Sequence, residues 1–317
     1  MTIKSMLRHA AQPVLGRIAF SLRTRCRETP VRIPVIGGTG LGFFDQVRTN
    51  AETWKLDLYR FLLDQREGLF IDIGVNLGQT LVQIRTINPN MSYVGFEPNP
   101  RCIGYVERLT ELNHYRKVEL VAAAIGQHGG TMSLHLPEGR STDSTATLIK
   151  DLRPSARQTS RSVPVLNGDQ IEGVLAGRSA AVIKIDVEGA ELEVIQGLRT
   201  QLARGRPAVV CEVLFADPDA DIDWHQQRNR CLMKLLRKLD YEVYQIRKSD
   251  CGRKMLGLEP IKEFKREFHS PSTADQCDYL FMPSEMAASC TGGVCSSVTN
   301  QTAETRSISI SQPCSSP

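Results

Sequence analysis

Short apolar runs rich in β-branched residues alternate with segments of helical periodicity between residues 51 and 283. This alternation is typical of an α/β protein in which helices cover both faces of one wound sheet. Ligands of such sheets bind at the carboxyl ends of the strands, near the point where the strand order reverses. The pattern predicts a doubly wound seven-stranded sheet with flanking helices, with core strands at 69–73, 92–97, 118–125, 181–186, 207–215, 241–246 and 278–282.

The two ends of the chain differ in composition from this organised middle. Residues 1–27 hold six basic side chains and no acid, and an apolar pattern of helical period predicts an amphipathic helix there. We expect residues 1–50 to form a basic amphipathic extension that packs on the body, contacts a membrane surface or serves as a transit segment. Residues 284–317 contain nine serines and four threonines. They predict a disordered tail after a folded domain at 51–283.

Charge and cysteine content disfavour several classes of protein. The net charge of +4 is small and lies in the first 27 residues, so it does not favour nucleic acid as a partner. Nine scattered cysteines form no Cys-x-x-Cys pair, which argues against a disulfide framework or a zinc site. We therefore expect a reducing, cytoplasmic environment. We expect no membrane crossing, since no apolar run approaches the ~20 residues that span a bilayer.

The first motif lies where the strand at 69–73 meets the following helix. Asp72 ends the strand, Gly74, Asn76 and Gly78 form a turn, and Thr80 lies in the first helical turn. Glycines allow a ligand to approach the backbone closely, and the amides of a helix N-terminus point at that ligand. The motif indicates a nucleotide-like cofactor, with a turn that binds no ligand as the alternative.

The second motif is Glu97, at the end of the next strand and 25 residues after Asp72. A carboxylate in this place accepts hydrogen bonds from both hydroxyls of a ribose, although Glu97 could instead support the helix that follows Pro98. The turn is not Gly-x-Gly-x-x-Gly, and Asp72 would repel a pyrophosphate. S-adenosylmethionine carries an ammonium, a sulfonium and a ribose but no phosphate, so acids at both strand ends favour it as the cofactor.

A third group of acids follows the strand at 181–186. Asp186 and Glu188 lie on one side of the extended chain, and Glu191 begins the next helix. Three carboxylates within six residues at a strand end favour a functional role, although Glu191 alone could complement the helix dipole. Glu212 interrupts an otherwise apolar strand and needs either a partner, for which Lys184 is a candidate, or access to the cleft.

Together these motifs resemble the FkbM family of S-adenosylmethionine-dependent methyltransferases. The resemblance rests on Asp72-Ile-Gly-Val-Asn-Leu-Gly78, Phe96-Glu97-Pro98, Val121-Ala-Ala-Ala-Ile-Gly126, Val163-Pro164-Val165 and Lys184-Ile-Asp-Val-Glu-Gly-Ala-Glu191. It implies a class I methyltransferase (Rossmann-like) sheet in which Gly74, Asn76 and Gly78 form the cofactor loop. It also implies that Glu97 binds the ribose and that the segment containing Ala123 and Ala124 flanks the adenine. The family's Leu-Asp pair is replaced at 166–169, where the start of the next helix departs from the pattern.

FkbM-like enzymes look like O-methyltransferases, so the resemblance implies a glycan or small-molecule hydroxyl as acceptor. A hydroxyl acceptor must lose its proton, and we expect Asp186 and Glu188 to form the base region, supported by Glu191 or Glu212. We favour chemistry without a metal over a divalent cation held by Asp186 and Glu188. The polar segment 139–160 is either a lid over the acceptor or a solvent loop.

Two other function classes stay open from the residues alone. A nicotinamide-dependent oxidoreductase would also use a wound sheet, but the sequence lacks its glycine pattern and a Tyr-x-x-x-Lys pair. A cofactor-binding protein without catalysis would keep the fold. The acids at all three strand ends argue against that alternative.

Overall fold

Strands and helices alternate along the chain as the sequence pattern predicts. The structure, a computed structural model, describes residues 19–291 except 140, 141, 143, 151, 156, 250, 251, 271, 272, 274 and 275. Its strands are β1 (Ala19–Cys26), β2 (Thr29–Ile36), β3 (Leu69–Ile73), β4 (Tyr93–Phe96), β5 (Val118–Val121), β6 (Ala124–Ile125), β7 (Gly130–Pro137), β8 (Gln158–Leu166), β9 (Ala180–Ile185), β10 (Ala208–Glu212), β11 (Tyr241–Lys248), β12 (Met255–Pro260) and β13 (Asp278–Pro283). Its helices are α1 (Leu41–Arg48), α2 (Trp54–Gln65), α3 (Gln79–Ile87), α4 (Pro100–Asn113), α5 (Gly168–Leu175), α6 (Glu191–Gly197), α7 (Arg199–Gly205), α8 (Ile222–Lys238) and α9 (Ser284–Thr291).

The main sheet has the order β12-β11-β13-β10-β9-β3-β4-β5. The five strands from β10 to β5 run parallel, whereas β13 pairs antiparallel with both β10 and β11. The chain proceeds from β3 outward to β4 and β5, then returns to place β9 on the other side of β3. The strand order therefore reverses between β3 and β9, which is where a doubly wound sheet binds its ligand.

The prediction of seven strands in this sheet is wrong, because it has eight. The additional strand is β12, which pairs antiparallel with β11 at the sheet edge. Its sequence contains Gly257 and Pro260, and Leu256 is 56% exposed. An edge strand is not buried on both faces, so it lacks the continuous apolar run that marks the other seven.

Apolar side chains of successive strand residues pack on opposite faces of the sheet. Phe70 contacts the layer formed by α2, α3 and α4, whereas Ile71 contacts the layer formed by α5, α6, α7 and α8. This alternation follows from the two-residue period of a strand. Residues 124–125 leave the main sheet and join β7 and β8 in a three-stranded sheet, so the predicted strand at 118–125 is two strands.

The helix predicted within residues 1–27 is wrong over its last part. Ala19–Cys26 forms strand β1, which pairs antiparallel with β2 through a turn at Arg27. Val31 and Ile33 of this hairpin are buried in the same apolar cluster as α3 and α4. The hydroxyl of Tyr105 also donates a hydrogen bond of 2.7 Å to the carbonyl of Pro34. The packed body therefore includes residues that the sequence pattern had placed in an extension, while residues 1–18 lie outside the described part.

The prediction of disorder from residue 284 onward is wrong for its first eight residues. Ser284–Thr291 forms helix α9, with the side chain of Ala287 buried in the core. The helix is tied to the body by Arg206, which forms ion pairs with Glu285 and Asp240. Residues 292–317 of the predicted tail lie outside the described residues.

Candidate functional site

A cavity of about 290 Å³ opens at the carboxyl ends of β3, β4, β9 and β10. Eight of the residues singled out in the sequence line it: Gly74, Asn76, Thr80, Glu97, Ala124, Asp186, Glu188 and Glu212. The other four are Asp72, Gly78, Ala123 and Glu191, which lie near it without lining it. The strand-end motifs therefore converge on one place, as the reversal of strand order predicts.

The glycine turn after β3 crosses closely over the end of β9. Gly74 has φ of +86°, and a Cβ atom there would lie 1.8 Å from the carbonyl oxygen of Asp186. Only glycine fits this crossing, since any side chain would strike the backbone of the neighbouring strand. Gly78, with φ of +89°, then begins helix α3, whose Thr80 lines the cavity.

Asp72 is fully buried beneath the turn. Its carboxylate accepts a hydrogen bond of 2.5 Å from the Tyr93 hydroxyl and lies 3.1 Å from Lys184 Nζ. Lys184 also donates to the carbonyl of Gly74 at 2.8 Å and lies 3.4 Å from Asp186 Oδ2. Burial alone would lower the pKa of Lys184, but the charges of Asp186 and Asp72 raise it above its ordinary value. Lys184 therefore stays cationic and ties β3 to β9.

Glu97 holds the loops on both sides of the cavity wall. Its Oε2 accepts the backbone N–H of Asn76 at 2.9 Å, and its Oε1 accepts that of Asn99 at 2.8 Å. Burial raises the pKa of Glu97 to about 7, although these two amide hydrogen bonds lower it in part. Each carboxylate oxygen has a second lone pair, so Glu97 can still accept hydrogen bonds from a ligand.

Asp186 and Glu212 form a pair of carboxyl groups at the ends of adjacent strands. Burial alone would raise the pKa of Asp186, but Lys184 and Lys55 hold it below its ordinary value. Burial and the charge of Asp186 raise the pKa of Glu212 well above its ordinary value. This direction favours the protonated form of Glu212, whose carboxyl group is hydrogen-bonded to the carboxylate of Asp186, as expected for two acids that share one site.

Glu188 is held by the segment that was predicted to be a lid or a solvent loop. Its carboxylate forms an ion pair with Arg153, and its carbonyl accepts the hydroxyl of Thr147 at 2.6 Å. Leu152 packs directly against Gly189, and Leu148 lines the cavity. The described part of this segment therefore covers the cavity on the side of β9.

Glu191 has a local role in the structure. It begins helix α6, and its Oε1 accepts the backbone N–H of Gly189 at 2.8 Å. Burial raises its pKa to about 7. Its side chain thus closes the loop after β9 beside the cavity wall.

Sequence reasoning missed several polar residues that line the cavity. Gln46 of α1, Glu52 and Lys55 precede the first motif, and Gln83 lies on the second turn of α3. None belongs to a recognisable motif, and only the packing of α1 and α2 against α3 brings them to the strand ends. A useful signal was available at Lys55, a lysine that stands among the apolar residues Trp54, Leu56 and Leu58 in the sequence.

The described residues contain no cluster of three or more His, Cys, Asp or Glu side chains arranged to hold a metal ion. They also contain no helix that is long and apolar enough to cross a membrane.

A sequence profile described as the methyltransferase FkbM domain matches residues 72–243, more than half of the 317-residue chain. The chain belongs to the FkbM methyltransferase family. The match begins at Asp72 and contains every strand end that contributes to the cavity. With the observed strand order, it assigns the class I methyltransferase-like α/β fold. A search of curated protein sequences gave no match.

Solved structures of methyltransferases show distant similarity to this FkbM-family chain. A methyltransferase FkbM from Methylobacillus flagellatus is 13% identical over 68% of this chain and 43% of that one, with a TM-score of 0.39. A precorrin-6y C5,15-methyltransferase from Geobacter metallireducens is 14% identical over 72% and 86%, with a TM-score of 0.34. A Pyrococcus abyssi tRNA (uracil-54, C5)-methyltransferase in complex with S-adenosyl-L-homocysteine is 11% identical over 82% and 43%, with a TM-score of 0.38. The similarity spans less than half of the Methylobacillus protein, and the family match carries the assignment.

Proposed function

We propose that this protein is an S-adenosylmethionine-dependent O-methyltransferase whose acceptor is a hydroxyl group of a glycan or small molecule. The observation that carries the proposal is the carboxylate of Glu97 on the cavity wall, fixed by two backbone amides, of which that of Asn76 belongs to the glycine turn. A carboxylate at the end of the second strand of a wound sheet suits the two hydroxyls of a ribose.

The other walls of the cavity fit the remaining parts of this cofactor. Pro98, Ala124 and Ile125 give an apolar surface beside Glu97 that suits an adenine ring. Gly74 and Asn76 place backbone at the centre of the cavity, where a ligand can approach closely. The carboxylates of Asp186 and Glu97 beside the glycine turn would repel a pyrophosphate, which agrees with a cofactor that lacks phosphate.

The paired acids are suited to taking the proton of an acceptor hydroxyl. When bound, S-adenosylmethionine supplies an electrophilic methyl group. Asp186 lines the cavity and its lowered pKa favours the ionised form, so it can accept the proton that the hydroxyl loses, while the carboxyl group of Glu212 is hydrogen-bonded to the same carboxylate and holds it in place. Positioning of the two reactants can supply a further ~7–11 kcal/mol of barrier lowering.

We propose that the reaction does not require a metal. The two acids predicted to hold a divalent cation already have cationic partners, with Lys184 beside Asp186 and Arg153 beside Glu188. A dication there would have to displace or repel these groups. Exhaustive chelation should therefore leave turnover unchanged, and a loss of turnover that magnesium restores would contradict this part of the proposal.

The test of the function is transfer of labelled methyl from S-adenosylmethionine to a panel of glycans and small hydroxyl compounds. We expect label in at least one acceptor, and it should survive mild base, since a methyl ether is stable where a methyl ester is cleaved. Asp186→Asn should abolish the transfer, and Glu119→Gln, in an exposed ion pair with Arg178, is the matched control. Base-labile label, or equal transfer by Asp186→Asn and wild type, would overturn the proposal.

A further inference from the structure

One end of the cavity is built by residues that lie before the segment matched by the family profile. This end is lined by Gln46 of α1, by Glu52 just before α2 and by Lys55 in the first turn of α2, together with Gln79 and Gln83 of α3. The charge of Lys55 also acts on Asp186, but the roles proposed for Asp186 and Glu97 do not account for Gln46, Glu52 and Gln83. Together these side chains form a polar wall of the cavity.

Gln83 shows that this wall is incomplete without a ligand. Its side chain is 7% exposed, and within the described residues its Oε1 has no hydrogen-bond partner. A buried amide oxygen without a partner costs roughly as much as a lost hydrogen bond. Since Gln83 lines the cavity, a ligand that donates a hydrogen bond there would satisfy it.

The wall carries both a positive side chain, Lys55, and a negative one, Glu52. Lys55 Nζ lies 3.1 Å from Glu52 Oε2, and the two side chains are 11% and 50% exposed. The N-terminus of α3 adds a partial positive charge, because its first turn holds no acid and Gly78 provides no side chain to cap its amides. The same end of the cavity thus offers acceptors for a cation and donors for an anion.

We infer that this wall binds the amino-acid end of S-adenosylmethionine. Glu52 and Gln83 Oε1 accept hydrogen bonds from the α-ammonium group, while Lys55 and the amides of α3 bind the α-carboxylate. The inference rests on the proposed function and adds to it the residues that recognise this part of the cofactor. The sequence had favoured Asp72 for the cationic end, but that carboxylate is fully buried and paired with Lys184.

The test uses two ligands that differ only at the inferred contact. S-adenosylhomocysteine carries the amino-acid end, whereas 5′-methylthioadenosine has the same adenosine and sulfur without it. Calorimetric titration of the full chain gives both dissociation constants, and we expect wild type to bind S-adenosylhomocysteine more tightly. Glu52→Gln should weaken S-adenosylhomocysteine by about ten-fold, the loss expected for one charge-assisted hydrogen bond, and leave methylthioadenosine unchanged.

Two further variants separate recognition from structure. Glu111→Gln is the matched control, because Glu111 forms an ion pair of the same i,i+3 spacing with Arg108 on the surface of α4. Gln83→Met keeps the length of the side chain and removes only the buried amide. It should fold as wild type does and weaken S-adenosylhomocysteine by a few-fold without affecting methylthioadenosine.

The outcomes distinguish this inference from the proposed function. Loss of S-adenosylhomocysteine affinity alone in Glu52→Gln and Gln83→Met supports it. Equal weakening of both ligands, or no weakening of either, overturns the inference and leaves the proposed function in place. Failure of wild type to bind either ligand overturns the proposed function and the inference with it.

Discussion

Glu97 and Glu191 close similar loops at the carboxyl ends of two parallel strands, yet only one of them lines the cavity. Each accepts backbone amides of its own loop, and burial raises the pKa of each to about 7. Glu97 faces the cavity, whereas Glu191 closes the turn at Gly189 beside it. A buried acid with a raised pKa is therefore no sign of ligand binding in itself, and the direction in which it faces decides its role.

In the loop after β9, Asp186 is the residue that we propose as the general base. We expect Asp186→Asn to lower turnover by about 10²- to 10⁴-fold, the usual contribution of a general base, with S-adenosylhomocysteine affinity unchanged. Glu191→Gln should change turnover by no more than a few-fold, because its carboxylate contacts only its own loop. Labelled-methyl transfer to the acceptor found in the screen measures both, and a larger effect at Glu191 than at Asp186 would reverse the comparison.

Lys184, the cation between β3 and β9, should contribute strongly to the free energy of unfolding. Lys184→Met leaves the carboxylate of Asp72 buried without its cationic partner, which typically costs about 3–5 kcal/mol of the free energy of unfolding. Urea denaturation measures this loss. The double variant Asp72→Asn/Lys184→Met should recover part of it, since the buried charge of Asp72 is then removed, although Asp186 still lacks Lys184 as its cation. If the double variant were less stable than Lys184→Met alone, the pair would not be the source of the effect.

Because the pKa of Glu97 and that of Glu191 are both raised to about 7, the pH dependence of cofactor binding can distinguish their roles. A ribose binds the ionised form of Glu97, and the ionised fraction falls from roughly nine-tenths at pH 8 to one-tenth at pH 6 for a pKa of about 7. Affinity for S-adenosylhomocysteine should therefore decrease by up to about ten-fold over this range. Glu97→Gln should remove the pH dependence, and Glu191→Gln should retain it. A pH dependence lost only in Glu191→Gln would show that Glu191 titrates with binding.

The sequence predicted the parts of the fold that are buried on both sides. The strand Leu69–Ile73 has the predicted bounds, because a continuous apolar run marks it clearly. The edge strand β12 and the hairpin of β1 and β2 were missed, since their half-exposed residues carry a mixed pattern.

The candidate site was predictable where side chains follow strands directly. Glu97 and Asp186 were found because parallel strands bring their carboxyl ends to one edge. Lys55 and Gln83 were not, since they reach the cavity through helix packing, and the pairing of Arg153 with Glu188 depends on a long loop that no local pattern specifies. The role of Asp72 also depended on a contact across the sheet, with Lys184, that the sequence does not show.

The most direct measurement of the central claim is calorimetric titration of the full chain with S-adenosylhomocysteine at pH 8. Wild type should bind one equivalent, and Glu97→Gln should bind about ten- to a hundred-fold more weakly, the loss expected when a charged acceptor is replaced. Glu191→Gln should bind as wild type does. Absence of binding by wild type, or equal weakening by the two substitutions, would contradict the account.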